Sequence, residues 1–237
     1  QKSLTRLSSG SRITQPADDA GGLAVSMKLS GTINRLSGVE KNIDNAISFL
    51  QVQDGVLDSA GKILDRMAEL KALSQDVLKN DSDIANYNAE FKNLQVQLYQ
   101  MSETTFNGVS LFATTYVDTA GATQNADFNT SGAGNTVSIF TSASGESGSI
   151  VSINKTALLA ALTITAAATS TKNAFNDADG SATFSFGSAT TGAAFELGEV
   201  SVAVFTQALQ NVATLRAENG GSVSRLQFSK ESAAAQK

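Results

Sequence analysis

The chain has 237 residues, enough for one large domain or two smaller ones with a real core. Its 41% apolar and 16% charged composition suits a folded protein, and with 6% aromatics and no Trp the core must be built mainly from Leu, Ile, Val and Ala. A net charge of −5 offers no basic field for phosphate, and the absence of Cys and His excludes disulfides, thiolate metal sites, His-based triads and most zinc sites.

The opening stretch, Leu7 to Leu29, sets Ser, Gly and Pro16 against the adjacent pair Asp18-Asp19 and then an apolar run. Neighbouring residues on a helix point about 100° apart, so the two carboxylates cannot converge on one proton or one scissile bond. Following Pro16, they read as the start of a helix, where negative charge complements the helix dipole. Leu29, Leu36, Ile43, Leu50, Leu57 and Leu64 then recur every seven residues, which predicts one long amphipathic helix from about 18 to 78. Ile33 and Ile47 supply a second row, interrupted by Glu40, Asp54 and Gly61. Such a helix, ~90 Å long at ~1.5 Å per residue, cannot bury its stripe alone.

The polar run Lys79-Asn80-Asp81-Ser82-Asp83 breaks the helix and offers N-caps for the next. Ile84, Tyr87, Phe91, Leu94, Leu98 and Met101 predict a second helix, antiparallel to the first, ending near Thr104-Thr105. Residues 113–190 change character to Ser, Thr, Ala and Gly. There Thr136 to Phe140 and Ala182 to Phe186 alternate as strands, and Lys155 to Leu162 predicts a short helix capped by Asn154. From about Leu197 the helical spacing returns with Phe205, Ala208, Val212 and Leu215, breaks at Asn219-Gly220-Gly221 and resumes at Ser222 and Leu226.

The expected fold is therefore mainly α with an inserted β-rich domain: 1–112 and 197–237 form a long antiparallel helical bundle, and 113–196 projects from its far end. No apolar run approaches the ~20 residues of a bilayer span. Asn176 to Gly180 and Asn80 to Asp83 lack calcium-loop spacing, and Gly132-Ala133-Gly134 lacks the third glycine of a dinucleotide site. No catalytic, cofactor-binding or metal-ligating residue is expected, and an enzyme is not.

Leu7-Ser8-Ser9-Gly10-Ser11-Arg12-Ile13 and Asp18-Asp19-Ala20-Gly21-Gly22-Leu23-Ala24 resemble the N-terminal signature of bacterial flagellins. Thr105 to Phe112 resembles the motif that closes that family's second helix, and Leu215 to Leu226 the start of its C-terminal helical return. The resemblance implies a structural subunit of the flagellar filament, exported through the flagellar type III machinery with an export chaperone and polymerised with other flagellin subunits outside the cell. It makes Leu7, Gly10, Arg12, Asp18, Asp19 and Leu23 candidate intersubunit contacts. It also implies that segments are missing at both ends, since the chain opens on Gln1; such a fragment is expected to stay soluble and not polymerise unaided. The helix that an innate immune receptor reads in many flagellins is altered: Arg66-Met67-Ala68-Glu69-Leu70 has Ala68 at the second arginine, and Val96 and Gln97 stand where acidic residues are common, so weak receptor activation is expected. The alternative is a flagellin-like surface protein that binds polysaccharide or metal ions through the middle domain.

Overall fold

The computed structural model describes residues 7–8, 10, 19–117, 123–125, 136–165 and 183–237. Three long helices dominate: α1 (Ala20–Ser74), α2 (Asp81–Ser102) and, at the C-terminus, α4 (Val202–Ala235). α1 starts on Asp19, whose extended backbone lies outside the helix while its Oδ1 accepts from the Gly22 N–H at 2.8 Å. Asn80 does the same for α2, accepting from the Asp83 N–H at 2.8 Å. These are N-caps in the ordinary sense, a side-chain oxygen meeting a donor the first turn leaves unpaired.

The buried face of α1 runs Leu36, Val39, Ile43, Ala46, Leu50, Gln53, Leu57, Ala60, Leu64, Met67 and Lys71, at spacings that alternate three and four. The first row is the one the heptads predict. The second row falls three residues after each member of the first, not four, so Val39, Ala46, Gln53, Ala60 and Met67 face the core. The expected row of Ile33, Glu40, Ile47, Asp54 and Gly61 flanks the seam, none of it fully buried. α1 also stops at Ser74, and Val77 and Leu78 are exposed in the turn beyond it.

α4 lies antiparallel against α1: Lys237 reaches Glu40, Lys230 Asp44, Arg216 Asp54, and Asn219 the Leu50 carbonyl. It starts at Val202, after a short helical turn at Leu197–Glu199, and it runs unbroken through Asn219-Gly220-Gly221. The expected break is absent because Asn219 and Leu226 continue the buried seven-residue row from Val212 to Ala233, and that burial outweighs the low helix propensity of two glycines.

The middle region contributes four antiparallel strand pairs: β1 (Thr105–Phe106) with β2 (Val109–Ser110), β3 (Thr115–Val117) with β4 (Thr123–Asn125), β5 (Thr136–Phe140) with β6 (Ile150–Asn154), and β7 (Thr163–Thr165) with β8 (Thr183–Ser185). The expected helix over Lys155 to Leu162 shrinks to one turn, α3 (Leu158–Ala161), preceded by Ala157 rather than capped by Asn154. The glycine motif at 132–134 and the Asp-rich turn at 176–180 lie outside the described residues.

The described part of this region packs along the flank of the bundle instead of projecting from its end. Phe106 meets Phe49 edge-on at 6.1 Å. Phe186 and Phe195 of the insert close on Phe91 of α2 and Phe205 of α4, with ring centroids 5.0 to 6.0 Å apart. The insert and helices therefore share one apolar core, which includes Leu111, Phe112, Leu158, Leu162 and Ile164 beside the helical seams. Half of the apolar residues in 113–190 are Ala, and packing on the bundle's surface is how this segment buries its larger side chains.

Candidate assembly surface

The heptad stripe of α1 runs on towards its N-terminus beyond the contacts described with α4. α4 ends where Lys237 Nζ meets Glu40 Oε2 at 2.6 Å, so the first four turns of α1 extend past it. On those turns Val25, Leu29 and Ile33 follow at intervals of four, on the side that continues into the buried Leu36. They are 58%, 59% and 41% exposed, while Met27, 68% exposed, lies on the opposite face of the helix. Leu29 belongs to the same row as Leu36 and Ile43, yet it is in solvent because nothing described covers it. Lys28 and Arg35 flank this stripe, with the Lys28 carbonyl accepting from Thr32 Oγ1 and Arg35 donating to that same oxygen. An apolar seam that leaves its intramolecular partner with regular spacing is suited to another helix. Phe228, 71% exposed on α4, is a second apolar contact point.

The six residues singled out from the sequence fall around this stripe unevenly. Leu7 is exposed, Gly10 takes a φ of +65° that suits glycine, Asp19 caps α1, and Leu23 is half-buried on its first turn. Arg12 and Asp18 lie outside the described residues. Val25, Leu29 and Ile33, which form the continuous stripe, were not among the six. The signal was present, since Leu29 heads the heptad row, but the period alone cannot say which members of the row are covered within the described chain.

The flanks of the paired region carry ion pairs. Arg216 bridges Asp54 and Asp58 at 3.0 and 2.8 Å, and Lys62 adds a further contact to Asp58 at 2.7 Å. Hydrogen bonding to Lys62 holds the Asp58 carboxyl below the usual carboxylate range, with Arg216 reinforcing it. Arg66 of α1 donates to Glu90 of α2 and to Glu69 one turn on, each at 2.8 Å, and those bonds raise its already high basicity. Ala68 is half-buried beside it; Val96 is half-buried and Gln97 exposed about two turns further along α2 than Glu90.

A set of buried polar side chains, unforeseen from the sequence, ties the helices to the insert. Gln53 donates to the Leu111 carbonyl at 2.6 Å, and Asn211 to the Ala161 carbonyl at 2.9 Å. Gln95 donates to the Phe195 carbonyl and accepts from the Phe195 N–H. Lys71 donates to the Leu197 carbonyl at 2.6 Å, and burial pushes its ammonium's pKa down. Polar residues at heptad positions, as Gln53 and Lys71 are, were the available sign. Among the described residues no three carboxylates gather where a metal ion would sit, and no helix is long and apolar enough to cross a membrane.

Comparison with known proteins bears out the resemblance. Residues 1–116 match the family described as the bacterial flagellin N-terminal helical region. A flagellin of Halalkalibacterium halodurans is 39% identical over 120 residues, 50% of this chain and 44% of that protein. A flagellar filament 30.7 kDa core protein of Treponema maltophilum is 37% identical over 112 residues, 47% of this chain and 39% of that protein. The matched segment thus spans less than half the length of these relatives. In overall fold the chain is similar to Bacillus cereus flagellin, with a TM-score of 0.53 at 20% identity, covering 81% of this chain and 88% of that one. The mainly α fold with a β-containing insert is accordingly that of a flagellin.

Proposed function

We propose that this chain, whose N-terminal half belongs to the bacterial flagellins, is a structural subunit of a flagellar filament and works by self-assembly outside the cell. The observation that carries the reading is the match of residues 1–116 to the flagellin N-terminal helical region, on a chain whose overall fold is similar to that of Bacillus cereus flagellin. In a filament the exposed stripe Val25, Leu29 and Ile33 packs against a further helix, of the same subunit or of a neighbour, with Leu7, Gly10, Arg12, Asp18, Asp19 and Leu23 at the joint. Residues 1–112 and 197–237 form the filament wall, 113–196 faces solvent, and the subunit leaves the cell through the flagellar export machinery. No observation favours an enzyme, nor the alternative of metal binding, for which the described residues offer no cluster of ligands.

The test is a graft of residues 1–116 in place of the corresponding part of Bacillus subtilis flagellin, which is 38% identical over 124 residues. In a host lacking its own flagellin, filaments should be visible by electron microscopy. With Leu29→Asp and Ile33→Asp together, the protein should reach the medium but remain unpolymerised. If the unaltered graft folds and is exported yet forms no filament, the reading fails. The same reading keeps receptor activation weak: Arg66 is engaged by Glu69 and Glu90, and Ala68 lacks a guanidinium to offer. A potent response to the purified chain would overturn that part.

A further inference from the structure

The β1–β2 hairpin carries chemistry that assembly does not use. Phe106 pairs with Val109, so Asn107 and Gly108 form a two-residue loop. Their φ values of +50° and +78° belong to a type I′ turn, for which Asn-Gly is the favoured pair. In such a turn the flanking residues share the ladder bonds, and the Gly108 N–H donates to no acceptor among the described residues. The Asn107 side chain is exposed and makes no hydrogen bond there either. Gly108 is exposed, and a Cβ placed on it would meet nothing within 4 Å.

The chain holds a second Asn-Gly pair in the opposite setting. Asn219 lies in the interior of α4, 3% exposed, with its side-chain amide donating to the Leu50 carbonyl at 2.8 Å. Gly220 follows it in the same helix, its nitrogen within the helical hydrogen-bond ladder.

We propose that Asn107 is a site of spontaneous deamidation through backbone cyclisation, and that the fold protects Asn219 from the same reaction. Hydroxide takes the Gly108 N–H proton, and the nitrogen attacks Asn107 Cγ. The new N–Cγ bond closes a five-membered succinimide while the Cγ–Nδ2 bond breaks, and the departing amine takes a proton from water and leaves as ammonia. A second water then opens the ring at either carbonyl, giving aspartate or isoaspartate. Nothing is oxidised or reduced, and water is the only co-reactant. The product has a place to act: Asn107 lines a cavity of about 290 Å³ together with Phe49, Phe106, Val109 and Val137. Deamidation puts a carboxylate at the mouth of that apolar cavity, and isoaspartate lengthens the backbone of a loop whose length sets the β1–β2 register.

The experiment follows the intact, folded chain at mildly alkaline pH, with timed digestion and mass spectrometry of the peptides carrying Asn107 and Asn219. In the folded chain Asn107 should convert more than about tenfold faster than Asn219, whose reaction requires opening of α4. In denaturant the two should convert at similar rates, because only the fold distinguishes them. Asn107→Gln should leave the hairpin peptide unmodified, with Asn219 unaffected. Equal rates at the two sites in the folded chain would overturn the proposal, as would an Asn107 that stays intact when folded but converts in denaturant.

Discussion

Gln95 lies on the buried face of α2 with Phe91, Leu98 and Ser102, one place past the Leu94 that the sequence spacing puts there, and it is fully buried. Its amide meets both backbone groups of Phe195, which leads the chain back into the bundle. Truncation by Gln95→Ala leaves a buried N–H and a buried C=O unpaired, a loss on the order of 2–4 kcal/mol. Denaturant unfolding of the two proteins checks it, and a change of less than about 0.5 kcal/mol would show the tie to be incidental. Lys71 poses the reverse question, a buried cation whose ammonium donates to the Leu197 carbonyl. Burial lowers its pKa below the ordinary 10.5, so over the interval between the two values the unfolded chain binds more protons than the folded one. Stability should therefore rise with pH through that interval and level off above 10.5. Melting temperatures measured alongside Lys71→Met should show the parent gaining on the variant as pH climbs, and parallel curves would refute the burial argument. The sequence shows Lys71 as a polar residue on the heptad row, but it does not place Gln95 on the buried face, and the partners Phe195 and Leu197 lie where the insert returns to the bundle, which no helical period reaches.

At the scale of elements, the helices were legible because burial repeats with the period of the backbone. Leu36, Ile43, Leu50, Leu57 and Leu64 announced α1, and Asn80 with Asp83 announced the start of α2. The end of α1 and the passage through α4's glycines were not legible, since both depend on what packs against the helix. Gly220 and Gly221 are exposed, take helical φ, and have open space where a Cβ would stand. Each loses more backbone freedom on folding than Ala does, at about 1 kcal/mol per site in a helix interior. Gly220→Ala with Gly221→Ala is expected to stabilise the fold by about 1–2 kcal/mol. A destabilised double variant in chemical denaturation would mean that α4 needs to bend or open there.

Across the whole molecule, one core runs from the α1–α4 seam through the Phe91, Phe186, Phe195 and Phe205 cluster into the insert, and it ends abruptly at Leu36. The strand pairs at β5–β6 and the helical seam were readable as local patterns. The seating of the insert on the flank was not, because it rests on contacts between residues such as Phe49 and Phe106 that are far apart in the chain. This architecture divides α1 into two regimes. From Leu36 to Lys71 its backbone is held by packing on both sides; from Ala20 to Arg35 it has its own hydrogen bonds and an exposed apolar stripe. A helical segment without tertiary packing opens at close to no cost, whereas the packed part opens only with the core. Amide hydrogen exchange of the isolated chain should therefore be fast over 20–34 and slow over 43–70. In assembled filaments the same 20–34 amides should become slow, because covering the stripe of Val25, Leu29 and Ile33 supplies the packing that the single chain lacks. Slow exchange there in dilute, unassembled protein would mean that the stripe already has a partner within the chain, and the surface assigned to assembly would have to be sought around Phe228 instead.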